Sequence, residues 1–185
     1  MNDKALRKTI EAITLPIVEL AGPTPEGYEL LNRQTVTLPS KLITTNIAKQ
    51  VTLNPFGDKP QTFIVDRVAD VKALPFDHAS LGMIMVSALP LSDHDAHNGP
   101  YTAAIEQQVA AEYDAVCSGD LSVIRYALHL HLYKEAGRVL APGGPLLQVW
   151  PHERDIEAAQ QFGLALIFER QHTDHAVVFQ KLSGS

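Results

Sequence analysis

The chain has 185 residues, 45% of them hydrophobic, which suits one domain with a full core and leaves no spare length for a second. Its formal net charge of −6, with Lys and Arg scattered along the chain, argues against the broad basic footprint of a nucleic-acid-binding surface. The single cysteine, Cys117, excludes an internal disulfide, MNDKALRKTI lacks the apolar core of a signal peptide, and no apolar run reaches the roughly 20 residues of a membrane span, so a soluble, cytoplasmic protein without a membrane partner is expected.

Taken in chain order, Asp3 to Thr14 offers an N-cap acid and then Leu6, Ile10 and Ile13 at helical spacing, which predicts a short amphipathic helix within residues 1–15 packed on a sheet. Pro16 ends it, and Ile17 to Leu20 follows as a strand feeding the Gly- and Pro-bearing loop from Ala21 to Tyr28. Leu42 to Ile47 is β-branched and predicts a second strand, with Asn46 near its carboxyl end. Asn54 to Pro60 is dense in turn formers where a doubly wound protein usually places a helix, so this crossover is expected to be abbreviated. Phe63 to Val65 is a strand candidate that continues toward Asp70 and Val71, and Leu81 to Leu89 is the most uniformly apolar run, as expected of a central strand buried on both faces.

Pro90 to Gly99 reads as a polar loop and Tyr101 to Cys117 as a helix, so that residues 90–119 would form a lid insertion. A longer helix capped by Asp120 or Ser122 runs to Leu140, with Ile124, Leu128, Leu132 and Ala136 in one stripe. The stretch Arg138 to Gly144, RVLAPGG, then turns the chain: Pro142 stops the helix and the glycines supply a turn with φ > 0. A buried strand from Pro145 to Trp150, a helix from Glu153 to Gly163, and an antiparallel hairpin of Leu164 to Phe168 with Ala176 to Leu182 complete the chain. The expected fold is a single α/β domain, Rossmann-like and doubly wound, mostly parallel with an antiparallel last strand.

Three stretches occur in a telling order: Asp70-Val71-Lys72-Ala73-Leu74-Pro75-Phe76, then LGMIMVSALP, then KEAGRVLAPGG. Their order and spacing resemble those of the class I S-adenosylmethionine-dependent methyltransferases. In that family an acid closes the third strand ahead of a Leu-Pro-Phe segment, and a helix ends in Arg-Val-Leu-x-Pro-Gly-Gly before the fifth strand. The resemblance implies S-adenosylmethionine as cofactor and methyl transfer as activity. It also marks a departure. The family's opening acid and Gly-x-Gly-x-Gly read here as Glu19-Leu20-Ala21-Gly22-Pro23-Thr24, a degenerate glycine motif in which Ala21 adds a methyl and Pro23 removes a backbone donor.

By position, the resemblance assigns Glu19, Ala21, Gly22 and Thr24 to the cofactor loop. It places Asn46 where the family has an acid gripping the ribose hydroxyls, and an uncharged Asn implies weaker binding there. Asp70 and Val71 would border the adenine, and Ser87 and Ala88, ending the fourth strand, would meet the methionine portion or the substrate. Both Glu19 and Asp70 also have a plain structural explanation, as carboxylates that cap loop or turn amides.

Methyl transfer asks little of side chains, because the sulfonium already makes the methyl electrophilic; the protein aligns the acceptor and, where the acceptor is protonated, supplies a base. The loop Ser92 to Asn98 holds two imidazoles and two carboxylates, and His94 or His97 is the candidate base. The same cluster has the residue types of a metal site, but a solvated polar loop is the favoured reading, and no metal is expected. His129 and His131, at i and i+2 of a helix, are poor joint ligands. Tyr101, Tyr113 and Trp150 are read as packing residues.

Two functions are therefore carried forward: a methyltransferase acting on a small-molecule acceptor, and a non-catalytic methyltransferase-like domain serving as a partner subunit or ligand sensor. Ala21, Pro23, Asn46 and the abbreviated crossover favour the second. Metal-dependent hydrolysis at Asp93 to His97 ranks third. Exposed apolar area on the first helix or the edge hairpin would support a homodimer.

Overall fold

A computed structural model of the chain describes residues 3–22, 42–46, 48–53, 61–86, 121–149, 151, 155–170 and 176–183. Three helices, α1 (Asp3–Glu11), α2 (Leu121–Val139) and α3 (Asp155–Gln161), are described. The strands are β1 (Ile17–Leu20), β2 (Leu42–Asn46), β3 (Gln50–Leu53), β4 (Gln61–Ile64), β5 (Arg67–Val68), β6 (Met83–Val86), β7 (Pro145–Val149), β8 (Leu164–Arg170) and β9 (Ala176–Lys181).

Seven strands form one sheet in the order β5-β2-β1-β6-β7-β9-β8. The pairs from β5 to β7 are parallel, and β9 is antiparallel to both of its neighbours. From β1 the chain first builds outward through β2 to β5, then returns to the other side of β1 and builds through β6 to β7. The order thus reverses between β1 and β6, and in open α/β sheets ligands gather at the carboxyl ends of strands flanking such a reversal.

Alternation along the strands builds a core on each face of the sheet. Ile17, Met83, Met85, Leu147 and Val178 point to one face, where Leu6 and Ile10 of α1 cover them. Val18, Leu20, Ile84, Val86, Leu146, Val177 and Phe179 point to the other, where Leu128, Leu132 and Ala136 of α2 and Ala158 and Ala159 of α3 close the layer. All four residues of β6 are buried, as the apolar run containing it predicts. The stripe of α1 is spent on the sheet as well: Leu6 and Ile10 are fully buried and are not apolar surface for a homodimer.

One expectation is corrected. The segment around Phe63 is not the approach to the third strand of the main sheet; Gln61–Ile64 pairs antiparallel with Gln50–Leu53 in a separate two-stranded hairpin. The third strand is the two-residue β5, pairing Arg67 with Thr45 and Val68 with Asn46. The hairpin stands in the crossover where turn-forming residues argue for an abbreviated connection. The expected helix at residues 101–117 lies outside the described residues, as do Tyr101, Tyr113 and Trp150.

The RVLAPGG stretch stitches α2 to the edge of the sheet where β6 and β7 begin and β9 ends. Ala141 N–H donates to Leu81 O at 2.8 Å, Leu81 N–H to Val139 O at 3.0 Å, and Lys181 Nζ to Leu140 O at 2.9 Å. Gly143 takes φ +80°, the left-handed turn conformation that glycine adopts without strain. One turn earlier in α2, a Cβ on Gly137 would lie 2.5 Å from the Phe162 carbonyl oxygen, so α2 and the chain leaving α3 approach too closely for any side chain there. Alanine normally improves a helix interior by about 1 kcal/mol over glycine. Here the collision with backbone outweighs that gain, and Gly137→Ala should lower the unfolding free energy by about 1–3 kcal/mol, read from urea midpoints at unchanged slope.

Candidate functional site

The carboxyl ends of β1, β2 and β5 are tied together by a short chain of hydrogen bonds. Thr45 Oγ1 donates to Glu19 O at 2.8 Å and Gly22 N–H to Thr45 O at 2.9 Å. Asn46 Nδ2 donates to Gly22 O at 3.0 Å, and Ala69 N–H donates to Asn46 O at 2.9 Å. Asn46 therefore bridges the loop after β1 and the segment after β5, and brings Glu19, Ala21, Gly22, Asp70 and Val71 to one edge of the sheet. Thr24, Ser87, Ala88, His94 and His97 lie outside the described residues.

Each residue at this edge has a local reason for its place. Ala21 has φ +58°, a left-handed conformation that costs a residue with a Cβ about 1–2 kcal/mol. The loop thus keeps the backbone shape of a glycine at a position where the sequence has alanine. Glu19 is fully buried, and its carboxylate lies against Gly22: a Cβ on Gly22 would sit 2.4 Å from both Glu19 Cδ and Oε2. A side chain at Gly22 would force the buried Glu19 carboxylate to move. The amide of Asn46 is buried and engaged with the Gly22 carbonyl, so it holds the loop.

Asp70 is exposed, and its Oδ1 accepts from the Lys72 N–H at 2.9 Å, an Asx turn that fixes the carboxylate. Ala73 N–H donates to Asp70 O at 3.0 Å, and the Val71 N–H makes no hydrogen bond to another described residue. The turn is anchored from below by the buried side chains of Val71 and Leu74. It is anchored laterally by Glu135 of α2, whose Oε2 accepts from the Leu74 N–H at 2.8 Å and pairs with Arg138 Nη2 at 2.6 Å. Burial by itself would raise the Glu135 pKa, but the hydrogen bonds from Arg138 and Leu74 outweigh it and hold the carboxyl below its ordinary value.

A second polar cluster lies under the neighbouring strand ends and was not legible in the sequence. His129 Nδ1 lies 3.0 Å from Asp155 Oδ1 and 2.9 Å from Oδ2; Gln148 Nε2 donates to Asp155 Oδ2 at 2.9 Å; Tyr133 O–H donates to Gln148 Oε1 at 2.6 Å. All four residues are buried, so the cluster binds α2, the end of β7 and the start of α3 into one unit. The one usable sequence signal was the i, i+4 spacing of His129 and Tyr133, which puts both on one helix face. His131 is buried too. No group of three or more metal-ligating side chains occurs among the described residues, and none of the described helices is long and apolar enough to cross a membrane.

Two tests follow from this geometry. Asn46→Asp sets a carboxylate, which cannot donate, against the Gly22 carbonyl and should destabilise the chain by about 1–3 kcal/mol, whereas Ala21→Gly removes the left-handed strain and should stabilise it by about 1 kcal/mol, both from denaturant titration. Because its folded-state pKa is depressed, Glu135 contributes stability that is present above the ordinary glutamate value and lost as pH falls through the lower folded value. The stability gap between wild type and Glu135→Gln should accordingly be widest above about pH 5 and close as the pH drops below about 4.

No protein-family model matches the chain, and no curated protein matches it in sequence. The likeness is three-dimensional. A chain of the complex that the Haloferax volcanii Trm112 methyltransferase activator forms with its candidate methyltransferase aligns with a TM-score of 0.50 at 14% identity, over 97% of this chain and 89% of that one. TrmN from Thermus thermophilus aligns with a TM-score of 0.50 at 14% identity over 97% of this chain and 48% of its own, so this chain spans about half the length of TrmN. With the strand order and the antiparallel insertion of β9, these alignments show a class I methyltransferase-like, Rossmann-like fold.

Proposed function

We propose that the chain is an S-adenosylmethionine-dependent methyltransferase acting on a small-molecule acceptor. The observation that carries this reading is the convergence of the Ala21–Gly22 loop and the Asp70–Val71 turn on one carboxyl edge beside the sheet's reversal, tied through Asn46. S-Adenosylmethionine, when bound, supplies a methyl already activated by its sulfonium. The residues present fit its adenosyl end. An exposed carboxylate fixed by the Lys72 N–H suits an exocyclic amine, and the adjacent Val71 N–H suits a ring nitrogen.

The main chain of Ala21 and Gly22, with Glu19 beneath, would border the ribose and amino-acid portions, with Thr24, Ser87 and Ala88 completing the surround. His94 or His97 would take a proton from the acceptor, and residues 90–119 would cover it as a lid. A small acceptor suits a chain of net charge −6 without clustered Lys or Arg.

A second reading, a non-catalytic methyltransferase-like domain acting as partner subunit or ligand sensor, is favoured by the engagement of Asn46 with the Gly22 carbonyl, where a ribose-gripping acid would otherwise stand. The Haloferax chain's association with a methyltransferase activator is a precedent for a protein partner among similar folds.

Isothermal titration of the full chain with S-adenosylmethionine and with S-adenosylhomocysteine tests the first reading. Both ligands should bind, and Asp70→Ala should weaken S-adenosylhomocysteine by about tenfold or more, the worth of one charge-assisted hydrogen bond. Absence of heat and of any melting-temperature shift with either ligand would rule out the cofactor reading.

A further inference from the structure

The segment Leu74-Pro75-Phe76, directly after the Asp70–Val71 turn, has three successive carbonyls, and each is held by a guanidinium. Arg138 Nη2 donates to Leu74 O at 2.8 Å, Arg67 Nη1 to Pro75 O at 2.9 Å, and Arg138 Nη1 to Phe76 O at 2.8 Å. Arg67 also lies over the Phe76 ring, 5.1 Å from its centroid. The one N–H at the head of the segment, that of Leu74, goes to Glu135, which in turn receives Arg138 through both Nε and Nη2. Pro75 has no N–H to place. The Phe76 N–H turns back to Leu74 O at 2.8 Å, so an irregular segment is held through its backbone by Glu135 and Arg138 of α2, about 60 residues downstream, and by Arg67 of β5.

This arrangement is more than surface charge pairing. The Arg138 side chain is 38% exposed, and an ion pair so placed adds little to stability by itself. Its geometric effect is larger, because a planar fork that spans two carbonyls two residues apart fixes their orientation as well as their distance. Asp70 is joined to the segment by the Ala73 N–H to Asp70 O bond, so wherever Leu74 is held, the Asp70 carboxylate and the Val71 N–H follow.

We propose that Arg138, supported by Glu135 and Arg67, is a positioning residue that aligns the Asp70 carboxylate and the Val71 N–H to read the six-position of a purine, making the site selective for adenine over hypoxanthine. The inference rests on the cofactor reading above. A carboxylate beside the exocyclic amine of adenine accepts a hydrogen bond, whereas the carbonyl of hypoxanthine presents an acceptor to an acceptor. Selectivity of that kind depends on alignment, so it is the property a loosened turn would lose first.

The test is calorimetry of the full chain with S-adenosylhomocysteine and S-inosylhomocysteine, on wild type, Arg138→Lys and Glu135→Gln, with thermal melts alongside. Wild type should favour the adenine ligand by about tenfold or more. Arg138→Lys keeps the charge but not the fork, and should narrow the ratio to about threefold or less, with Glu135→Gln shifting it the same way. Should Arg138→Lys fail to fold, Arg67→Gln, which releases the Pro75 carbonyl and the Phe76 ring but leaves the Arg138 fork in place, should narrow the ratio by a smaller factor. Variants that melt lower yet keep the wild-type ratio would overturn the positioning role and leave the cofactor reading standing. A wild-type ratio near one would overturn the selectivity. Failure of wild type to bind either ligand would remove the cofactor reading and this inference together.

Discussion

One residue, Asn46, ties together the carboxyl edge where β1, β2 and β5 end. Asn46 sits at the last position of β2, between two segments that share no direct strand pairing; its side-chain Nδ2 donates to the Gly22 carbonyl while its main-chain carbonyl accepts from the Ala69 N–H. A carboxylate at this position could accept but not donate, and would leave the Gly22 carbonyl without this partner while facing it with like charge. The residue that lowers the expected grip on a ribose is thus the residue that holds the glycine loop to the sheet.

The fold was legible wherever burial on both faces wrote a continuous apolar signal. Ile17–Leu20, Met83–Val86 and Pro145–Val149 stand inside predicted apolar runs, and the closing hairpin of β8 and β9 announced itself by two β-rich runs around a short polar link. The signal failed where burial fails. Both residues of β5 are exposed, and Ile64 of β4 is 74% exposed, so neither segment carries a pattern that separates a sheet strand from a hairpin strand. A two-residue strand is held by its neighbours, through Thr45 and Asn46, and such neighbours are visible only in three dimensions.

The site was legible by position and opaque in its bonds. The order of Asp70, Leu-Pro-Phe and RVLAPGG gave the edge, but not that the last two are parts of one clamp, because Leu74 and Glu135 are 61 residues apart and neither has a sequence feature that names the other. The cluster of His129, Tyr133, Gln148 and Asp155 was missed for a related reason. Its two helix members share a face, yet Gln148 and Asp155 look like an ordinary strand residue and an ordinary helix N-terminal acid until burial shows that each must find a partner.

The two glycine-motif positions that differ in chemistry also differ in cause. Gly22 stands where the Glu19 carboxylate fills the space a Cβ would need. Ala21 is the reverse case. It pays for a left-handed backbone that its side chain disfavours, at φ +58°, and no bond at Ala21 itself enforces that shape. The enforcement comes from next door, where Thr45 and Asn46 grip both the N–H and the carbonyl of Gly22. A loop kept in a strained shape by its neighbours, on the edge where the Asp70 turn is itself clamped from α2, is a preorganised surface on both sides of one sheet end.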